Sequence, residues 1–554
     1  MDLKEEIYAF VLQNAVKHKG KAQAGAIVGK ILGDKPELKS QLKDIRKQIN
    51  EIISKVNSMK LDEQEQELVK VAPGLLEEKQ EEKPRELPEL LNILNKPIFR
   101  FAPSPSGPMH IGHVFYMLLN AEYSKKYNGE FILRIEDTNS ENIDPNAYEL
   151  LEQDGIWATS GKIDKIVVQS DRLEAYYNYA IKAITKGFAY VCTCSSEKFK
   201  ILVDKGQACP CRDNTPEDNL TKWNNMFTTY KEGDAVLRIK TDLKHKNPAI
   251  REWPAFRIND AEHPRTGKKY RVWPLMNFST TVDDHDFEIT HVIRGKDHIV
   301  NVERQKFLYS YFNWKLPEFY HLLRINFTDL KISASAFRKG IEEGKYTGWD
   351  DIRLPTLLAL KRRGILPEAF RRFVIEIGMS KRDKTVAYDE FMKLIYFFNR
   401  EIIEKMANRY FFIENPKLII IEGAPNLEAE MPLHPDFKER GNRKVKTSKE
   451  FYIQDDIGGN IVYRFMHLFN FKNNKFVSLE HDQNLNAKMI HWLPKSDKLV
   501  KVEVLMPDGT IKKGLGEELL NELEVGDMIQ FERFAFCKLD EKSKNKLVFC
   551  YTHI

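Results

Sequence analysis

Residues 98–121 restrict the possible folds of this chain more than any other stretch. Ile98-Phe-Arg-Phe-Ala102 is a short apolar run of the kind that makes a buried strand. Pro103, Pro105, Gly107 and Pro108 stop it, and Gly112-His-Val-Phe-Tyr-Met-Leu-Leu-Asn-Ala121 resumes with helical apolar spacing. A strand turning directly into a helix predicts an open α/β sheet, whose ligands lie beyond the carboxyl ends of its strands. His110 and His113 stand three residues apart at the helix start, so they can share one face where free N–H groups favour an anion. Gly112 has no side chain, so a flat ring such as adenine can lie against the backbone. H-x-G-H arises by chance often enough to mean little alone. Behind P-S-P-S-G at a strand end it points to a nucleotide whose α-phosphate is under attack.

The 554 residues are too many for one core, and three to five domains are expected at roughly 100–200 residues each. Residues 1–72 read as a helical extension, with helical spacing over 2–16 and 36–59. Its lysines mark either a solvated face, the commoner case, or a nucleic-acid contact. Residues 73–97, with Glu78, Glu81, Glu82, Pro84 and Pro88, read as a linker. Strand and helix alternate over 98–191, where Glu130-Phe-Ile-Leu-Arg-Ile-Glu136 ends in the polar run Glu136-Asp-Thr-Asn139. Residues 192–273 interrupt that order, and 274–345 resume it through Glu288-Ile-Thr-His-Val-Ile-Arg294. Helices are expected over 346–408. Short alternating strands follow over 409–554, as in one or two β-barrels. The predicted fold is thus multidomain: a Rossmann-like α/β domain split by an α+β insertion, between a helical extension and C-terminal all-β barrels.

No run has the apolar length of a membrane span, and no membrane partner is expected. A net charge of +5 leaves nucleic acid to local patches. The candidates are Lys361-Arg-Arg363, Arg371-Arg372 and Arg440-Gly-Asn-Arg-Lys-Val-Lys446. Six cysteines in this length argue against a disulfide scaffold and for a reducing cytoplasm. Four of them form Cys192-Thr-Cys194 and Cys209-Pro-Cys211, either a closed tetrahedral Zn²⁺ site or reduced thiols. Cys537 and Cys550 read as small β-core residues.

The run R-F-A-P-S-P-S-G-P-M-H-I-G-H resembles the H-I-G-H segment of class I aminoacyl-tRNA synthetases, in the version of the glutamyl/glutaminyl branch. The resemblance implies that His110 and His113 steady the α-phosphate of ATP while an amino-acid carboxylate displaces pyrophosphate. It implies substrate carboxylates on Arg100 and Arg294, the ammonium on Glu136, and Ser104 in the pocket wall. Thr290-His-Val-Ile-Arg-Gly-Lys-Asp-His298 is similar to the glutamate form of its strand, since glutaminyl members typically carry cysteine where Arg294 stands. A buried guanidinium facing a neutral amide would lose its charge partner, so Arg294 favours glutamate.

Lys331-Ile-Ser-Ala-Ser335 resembles the K-M-S-K-S loop, which implies ATP contacts from Lys331, Ser333 and Ser335 beside those of His110, Gly112 and His113. It departs from that loop at Ala334 and Ala336, so either Arg338 and Lys339 take over or activity is reduced. Met276 stands where the family usually has tyrosine, which removes a hydrogen-bond donor. The cysteine pairs resemble a zinc knuckle in the acceptor-stem insertion, implying structural Zn²⁺ on Cys192, Cys194, Cys209 and Cys211. The helical extension and the tail resemble archaeal-type members. The implied enzyme is therefore a monomeric, cytoplasmic glutamate–tRNA ligase using ATP with Mg²⁺, glutamate and tRNA(Glu), with tRNA(Gln) as a second acceptor to test. The rivals are a glutaminyl synthetase and a non-catalytic tRNA-binding paralogue.

Overall fold

The computed structural model describes residues 3–18, 20–34, 42–72, 86–93 and 96–554. The chain divides into two units, 1–86 and 87–554. The first holds helices α1 (Leu3–Lys17), α2 (Ala24–Asp34), α3 (Leu42–Asn57) and α4 (Leu61–Val71). They close over Ile7, Val11, Leu12, Ile31, Ile45, Ile49, Val56 and Leu68. The helix expected over 36–59 starts at Leu42, and residues 35–41 lie outside the described set. Buried Gln64 ties the bundle by donating from Nε2 to the carbonyls of Gly20 (3.1 Å) and Val56 (2.8 Å).

The second unit is built on five parallel strands: β1 (Ile98–Phe101), β2 (Glu130–Ile135), β3 (Lys165–Val168), β8 (His291–Gly295) and β9 (Glu318–Leu322), in the order β3-β2-β1-β8-β9. Helix α5 (Ile111–Lys126) follows β1 and is buried along nearly its whole length, which accounts for its apolar residues on all sides. Between β3 and β8 lies a separate antiparallel sheet of β4 (Ala189–Cys192), β5 (Val236–Ile239), β6 (Pro254–Ile258) and β7 (Val272–Pro274). The insertion therefore begins at Ala189 rather than 192, because Ala189–Cys192 pairs with β5 instead of the parallel sheet.

Two further boundaries shift. Residues 87–93 are no free tether: Leu87 and Leu90 are buried in the core under α5, and Tyr127 Oη accepts from the Leu90 amide at 2.8 Å. Residues 73–85, the rest of the expected linker, lie outside the described set. The helices Leu357–Arg362, Pro367–Ile377 and Tyr388–Ile403 add Leu360, Phe370, Phe373 and Ile395 to the same core as Phe99, Leu118 and Phe131. Apolar spacing reveals such a helix face but not what covers it.

The tail has two cores of its own, one around Phe451, Phe465 and Trp492 and one around Val502, Phe531 and Phe549. The two edges of its seven-stranded sheet are Asn408–Tyr410 and Phe412–Glu414, consecutive stretches of one segment. Through Phe411 one segment thus joins the two edges of the sheet, as in a barrel. Cys537 and Cys550 are fully buried in the tail. Among the described residues, no helix is long and apolar enough to cross a membrane.

Candidate active site

The order of the parallel strands reverses between β1 and β8, and the crevice opens at their carboxyl ends. A cavity of about 240 Å³ occupies it. Its wall collects Arg100 from β1, Ser104 from the turn after it, Gly112 and His113 from α5, Glu136 from the end of β2 and Arg294 from β8.

His110 is the N-cap of α5, and its Nδ1 accepts from the Gly112 amide at 3.1 Å. His113 Nδ1 in turn accepts from the His110 amide at 3.5 Å, and the two rings stack with centroids 3.8 Å apart. Burial pushes the His110 imidazole down to about 4, and burial with His110 alongside holds His113 well below its ordinary value. Both rings are therefore neutral near pH 7. With each Nδ1 occupied as an acceptor, the proton sits on each Nε2, giving two N–H donors suited to phosphate oxygens; His113 lines the cavity and His110 stacks on it. A Cβ at Gly112 would stand 3.0 Å from the His110 ring, so the glycine protects this arrangement as well as the approach of a ligand.

The backbone around His110 is gripped from two sides. Buried Asp154 accepts from the Met109 amide at 2.9 Å. The Ile111 amide donates to Pro355 O (3.0 Å) and Leu357 N–H to Met109 O (2.8 Å), forming a bridge between His110 and Thr356.

A buried charge network lies behind the wall formed by Arg100 and Glu136. Arg100, 5% exposed, makes a bidentate pair with Asp284 at 2.7 and 2.9 Å. Arg134 pairs with Glu136 and with Asp283 (3.2 Å), and Arg172 also donates to Asp283 at 2.7 Å. Thr280 Oγ1 and Arg134 both bond Glu136 through Oε1, leaving Oε2 able to accept from an ammonium. Asp137, the next residue, is held from the insertion: His263 Nε2 lies 2.9 Å from its carbonyl, and Arg257 reaches Asn139 Oδ1 at 2.7 Å.

Arg294 differs from these arginines. It is 9% exposed, and among the described residues it has no carboxylate partner. Its Nη2 donates to His298 O (3.5 Å) and Gln305 Oε1 (3.3 Å), while its buried Nε finds no acceptor. Burial and the neighbouring Arg100 pull its pKa down to about 10, so the guanidinium remains charged. A buried cation lacking an anion costs several kcal/mol, on the order of what a ligand carboxylate would return.

The loop of residues 331–335, expected from resemblance to contact ATP, lies outside the cavity wall. Lys331 is exposed and away from the cavity wall. Ser333 caps the helix Ala334–Glu342, accepting from Ala336 N–H at 3.4 Å, and lies 3.0 Å from Ser335 Oγ. Arg338 is not free to replace the missing lysine: its Nη2 donates to Ser106 O at 2.6 Å and its Nε faces Asp144 at 3.8 Å. It clasps this helix to the P-S-P-S-G turn, where Trp349 packs so closely that a Cβ on Gly107 would meet it at 2.9 Å. We expect Arg338→Ala to raise the KM for ATP about 10-fold, with the glutamate KM moving less, because it releases one loop from the other. Steady-state exchange kinetics would measure this, and equal shifts in both KM values would contradict it.

Four sulfur atoms, from Cys192, Cys194, Cys209 and Cys211, lie within 4.8 Å of one another at the edge of the insertion. Cys192–Cys209 and Cys194–Cys211 are each 3.8 Å apart. Four thiolates around Zn²⁺ at ~2.3 Å would be separated by roughly 3.8 Å, so the cluster fits that ion.

Sequence reasoning missed Asp283, Asp284 and Thr280. Their signal is Thr280-Thr-Val-Asp-Asp284, a polar run inside the buried helix Met276–Asp286. Met276 lines the cavity, so the missing donor is missing at the site itself. Most arginines of the basic runs have partners within the chain. Arg362 pairs with Asp540, Arg371 with Glu122, Arg372 with Glu401, and buried Arg443 with Glu517 and Glu532. Arg363 is buried against the carbonyls of Tyr551 and Thr552. Arg362 and Arg363 thus tie the helices to the tail, Arg443 is bound within the tail, and Arg371 and Arg372 pair inside the catalytic region.

Residues 98–405 match the family model described as tRNA synthetases class I (E and Q), catalytic domain. Residues 407–491 and 489–540 each match a model described as tRNA synthetases class I (E and Q), anti-codon binding domain. The sequence is 44% identical over 562 residues to the glutamate–tRNA ligase of Methanocaldococcus jannaschii, covering 100% of both chains. It is 45% identical over 560 residues to that of Methanobrevibacter smithii, again covering 100% of each. With that of Methanococcus maripaludis the identity is 42% over 562 residues and the coverage of both is 100%. A crevice at the strand-order reversal, with paired neutral imidazoles beside an unpaired guanidinium, agrees with those matches, and the chain belongs to the class I aminoacyl-tRNA synthetases of the E and Q group.

Proposed function

We propose that this chain attaches glutamate to tRNA in two steps that consume ATP. The observation that carries the substrate is Arg294, a buried cation at the cavity with only neutral acceptors of its own. Glutamate's side-chain carboxylate supplies its missing anion, whereas glutamine would leave the charge uncompensated. The relatives, all named glutamate–tRNA ligase, support the same choice.

In the first step an α-carboxylate oxygen of glutamate bonds to the α-phosphorus of ATP. The bond to the bridging oxygen breaks, and its electron pair leaves with pyrophosphate. The Nε2–H groups of His110 and His113 donate to the α-phosphate as negative charge builds there, and Glu136 Oε2 holds the substrate ammonium. Ser104 and Gly112 shape the floor. ATP enters with Mg²⁺ as substrate. Lys331, exposed on the loop of Ser333 and Ser335, is assigned to the departing pyrophosphate, a role that requires this loop to move toward the cavity. In the second step a hydroxyl of the terminal tRNA ribose attacks the mixed-anhydride carbonyl and loses its proton, and AMP leaves.

The tail accepts the anticodon arm and the insertion the acceptor stem, with Zn²⁺ on Cys192, Cys194, Cys209 and Cys211 holding the insertion's edge in shape. All six cysteines are unpaired, which suits a cytoplasmic enzyme. Purified chain should contain one zinc by elemental analysis. Cys209→Ser should lose that metal and lower the melting temperature, and metal-free wild-type protein of unchanged stability would count against the site.

The deciding experiment is ATP–pyrophosphate exchange with tRNA present, run with glutamate and with glutamine, followed by charging of purified tRNA(Glu) and tRNA(Gln). Exchange with glutamate and stable glutamyl-tRNA(Glu) are expected. Exchange with glutamine alone would overturn the reading, and none with either would favour a tRNA-binding paralogue.

A further inference from the structure

Arg100, Arg134 and Arg172 each meet at least one carboxylate around the crevice. Arg294 instead meets the His298 carbonyl and the side-chain amide of Gln305. Gln305 sits on the helix Ile299–Phe312, which follows β8 after one short turn, and is only 1% exposed. Its Nε2 has no hydrogen-bond partner, nor does the Tyr309 hydroxyl one turn on. Burying half an amide unsatisfied costs about 1–3 kcal/mol relative to a well-packed apolar residue, so stability does not explain a glutamine here. Its orientation is nonetheless forced. Flipping the amide would turn N–H donors toward a guanidinium that has only donors.

We infer that Gln305 is a specificity-determining residue: its neutral amide aims the Arg294 guanidinium at the cavity without neutralising it, so the subsite stays positive for an acidic side chain. This rests on the glutamate reading above. A glutamate at position 305 has the same reach and the same accepting oxygen but carries a charge. It would close an internal ion pair with Arg294 and compete with the substrate for a cavity cation that has no carboxylate partner among the described residues. A methionine fills similar volume, leaves the charge free and gives up only the aiming.

The test compares full-length wild type, Gln305→Glu and Gln305→Met by exchange kinetics with tRNA present. Melting curves and the KM for ATP serve as controls. For Gln305→Glu the glutamate KM should rise about 100-fold and the glutamate-to-glutamine preference should collapse, with the KM for ATP within about 3-fold of wild type. For Gln305→Met the glutamate KM should rise only about 3- to 10-fold. A glutamate KM within about 3-fold of wild type for Gln305→Glu overturns the inference, as do equal effects of the two variants, which would mean packing rather than charge. If Gln305→Glu does not fold, a glutamate KM in Gln305→Met raised about 100-fold would equally overturn it, because that variant keeps the cation. Wild type that activates no glutamate would remove the functional reading itself. Wild type that does, beside an indifferent Gln305→Glu, removes only the role of Gln305.

Discussion

Replacing His110 with alanine is expected to slow glutamate-dependent ATP–pyrophosphate exchange at least ~100-fold while leaving tRNA affinity nearly unchanged. His110 supplies one of two stacked neutral donors, and its partner His113 is oriented by the same turn. The substitution also deletes the acceptor for the Gly112 amide at the start of α5, a cap worth about 1 kcal/mol. His110→Asn separates the two losses, since asparagine caps well but has no imidazole. It should melt like wild type and remain as slow as the alanine variant. An exchange rate within about 3-fold of wild type in His110→Ala would remove the imidazoles from the mechanism. The depressed pKa has a second consequence. The unfolded chain binds this proton below about 6.5 and the folded chain only near 4, so stability falls as pH drops through that window.

Arg294→Met should raise the KM for glutamate by about 100- to 1000-fold, the usual cost of deleting one member of a desolvated charge pair. The same variant should melt at or above the wild-type temperature. In the free protein Arg294 is a buried cation held by two long hydrogen bonds at 3.5 and 3.3 Å, and methionine removes its desolvation cost while filling most of its volume. Loss of substrate binding together with retained or increased stability is the signature of a group kept for its ligand. A glutamate KM within about 3-fold of wild type would place the substrate elsewhere, and a large drop in melting temperature would make Arg294 a structural residue.

What could be read in the sequence was what is local. The turn from β1 into α5, the polar end of β2 and Arg294 at the end of β8 each lie within a few residues of their own signal, and the fold gathers them at one cavity. Asp283 and Asp284 were not legible because their partners, Arg134 and Arg100, lie 149 and 184 residues away, and a helix pattern does not show what it will face. The role of Arg338 stays open in the sequence for a related reason. Its position after K-I-S-A-S suggested phosphate, but the carbonyl of Ser106, 232 residues upstream, takes its guanidinium. Runs such as Arg371-Arg372 display the sign of a charge and conceal its partner. Leu87 and Leu90, within a stretch rich in proline and glutamate, read as tether until the groove beneath them is seen.

The split sheet also governs when the enzyme can first exist during its own synthesis. Strand β1 is completed early, yet the Ile98 amide waits for the hydroxyl of Thr290, 192 residues later, and Asn120 waits for the carbonyl of Ile293. At a ribosomal pace of about 5–20 residues per second that interval lasts roughly 10–40 s, with one side of β1 lacking its neighbour throughout. The insertion sheet, closed by pairs between nearby segments, can fold in the meantime. A nascent chain that stalls before β8 emerges has both histidines and half a sheet, but no guanidinium opposite them and nowhere for the amino acid to sit.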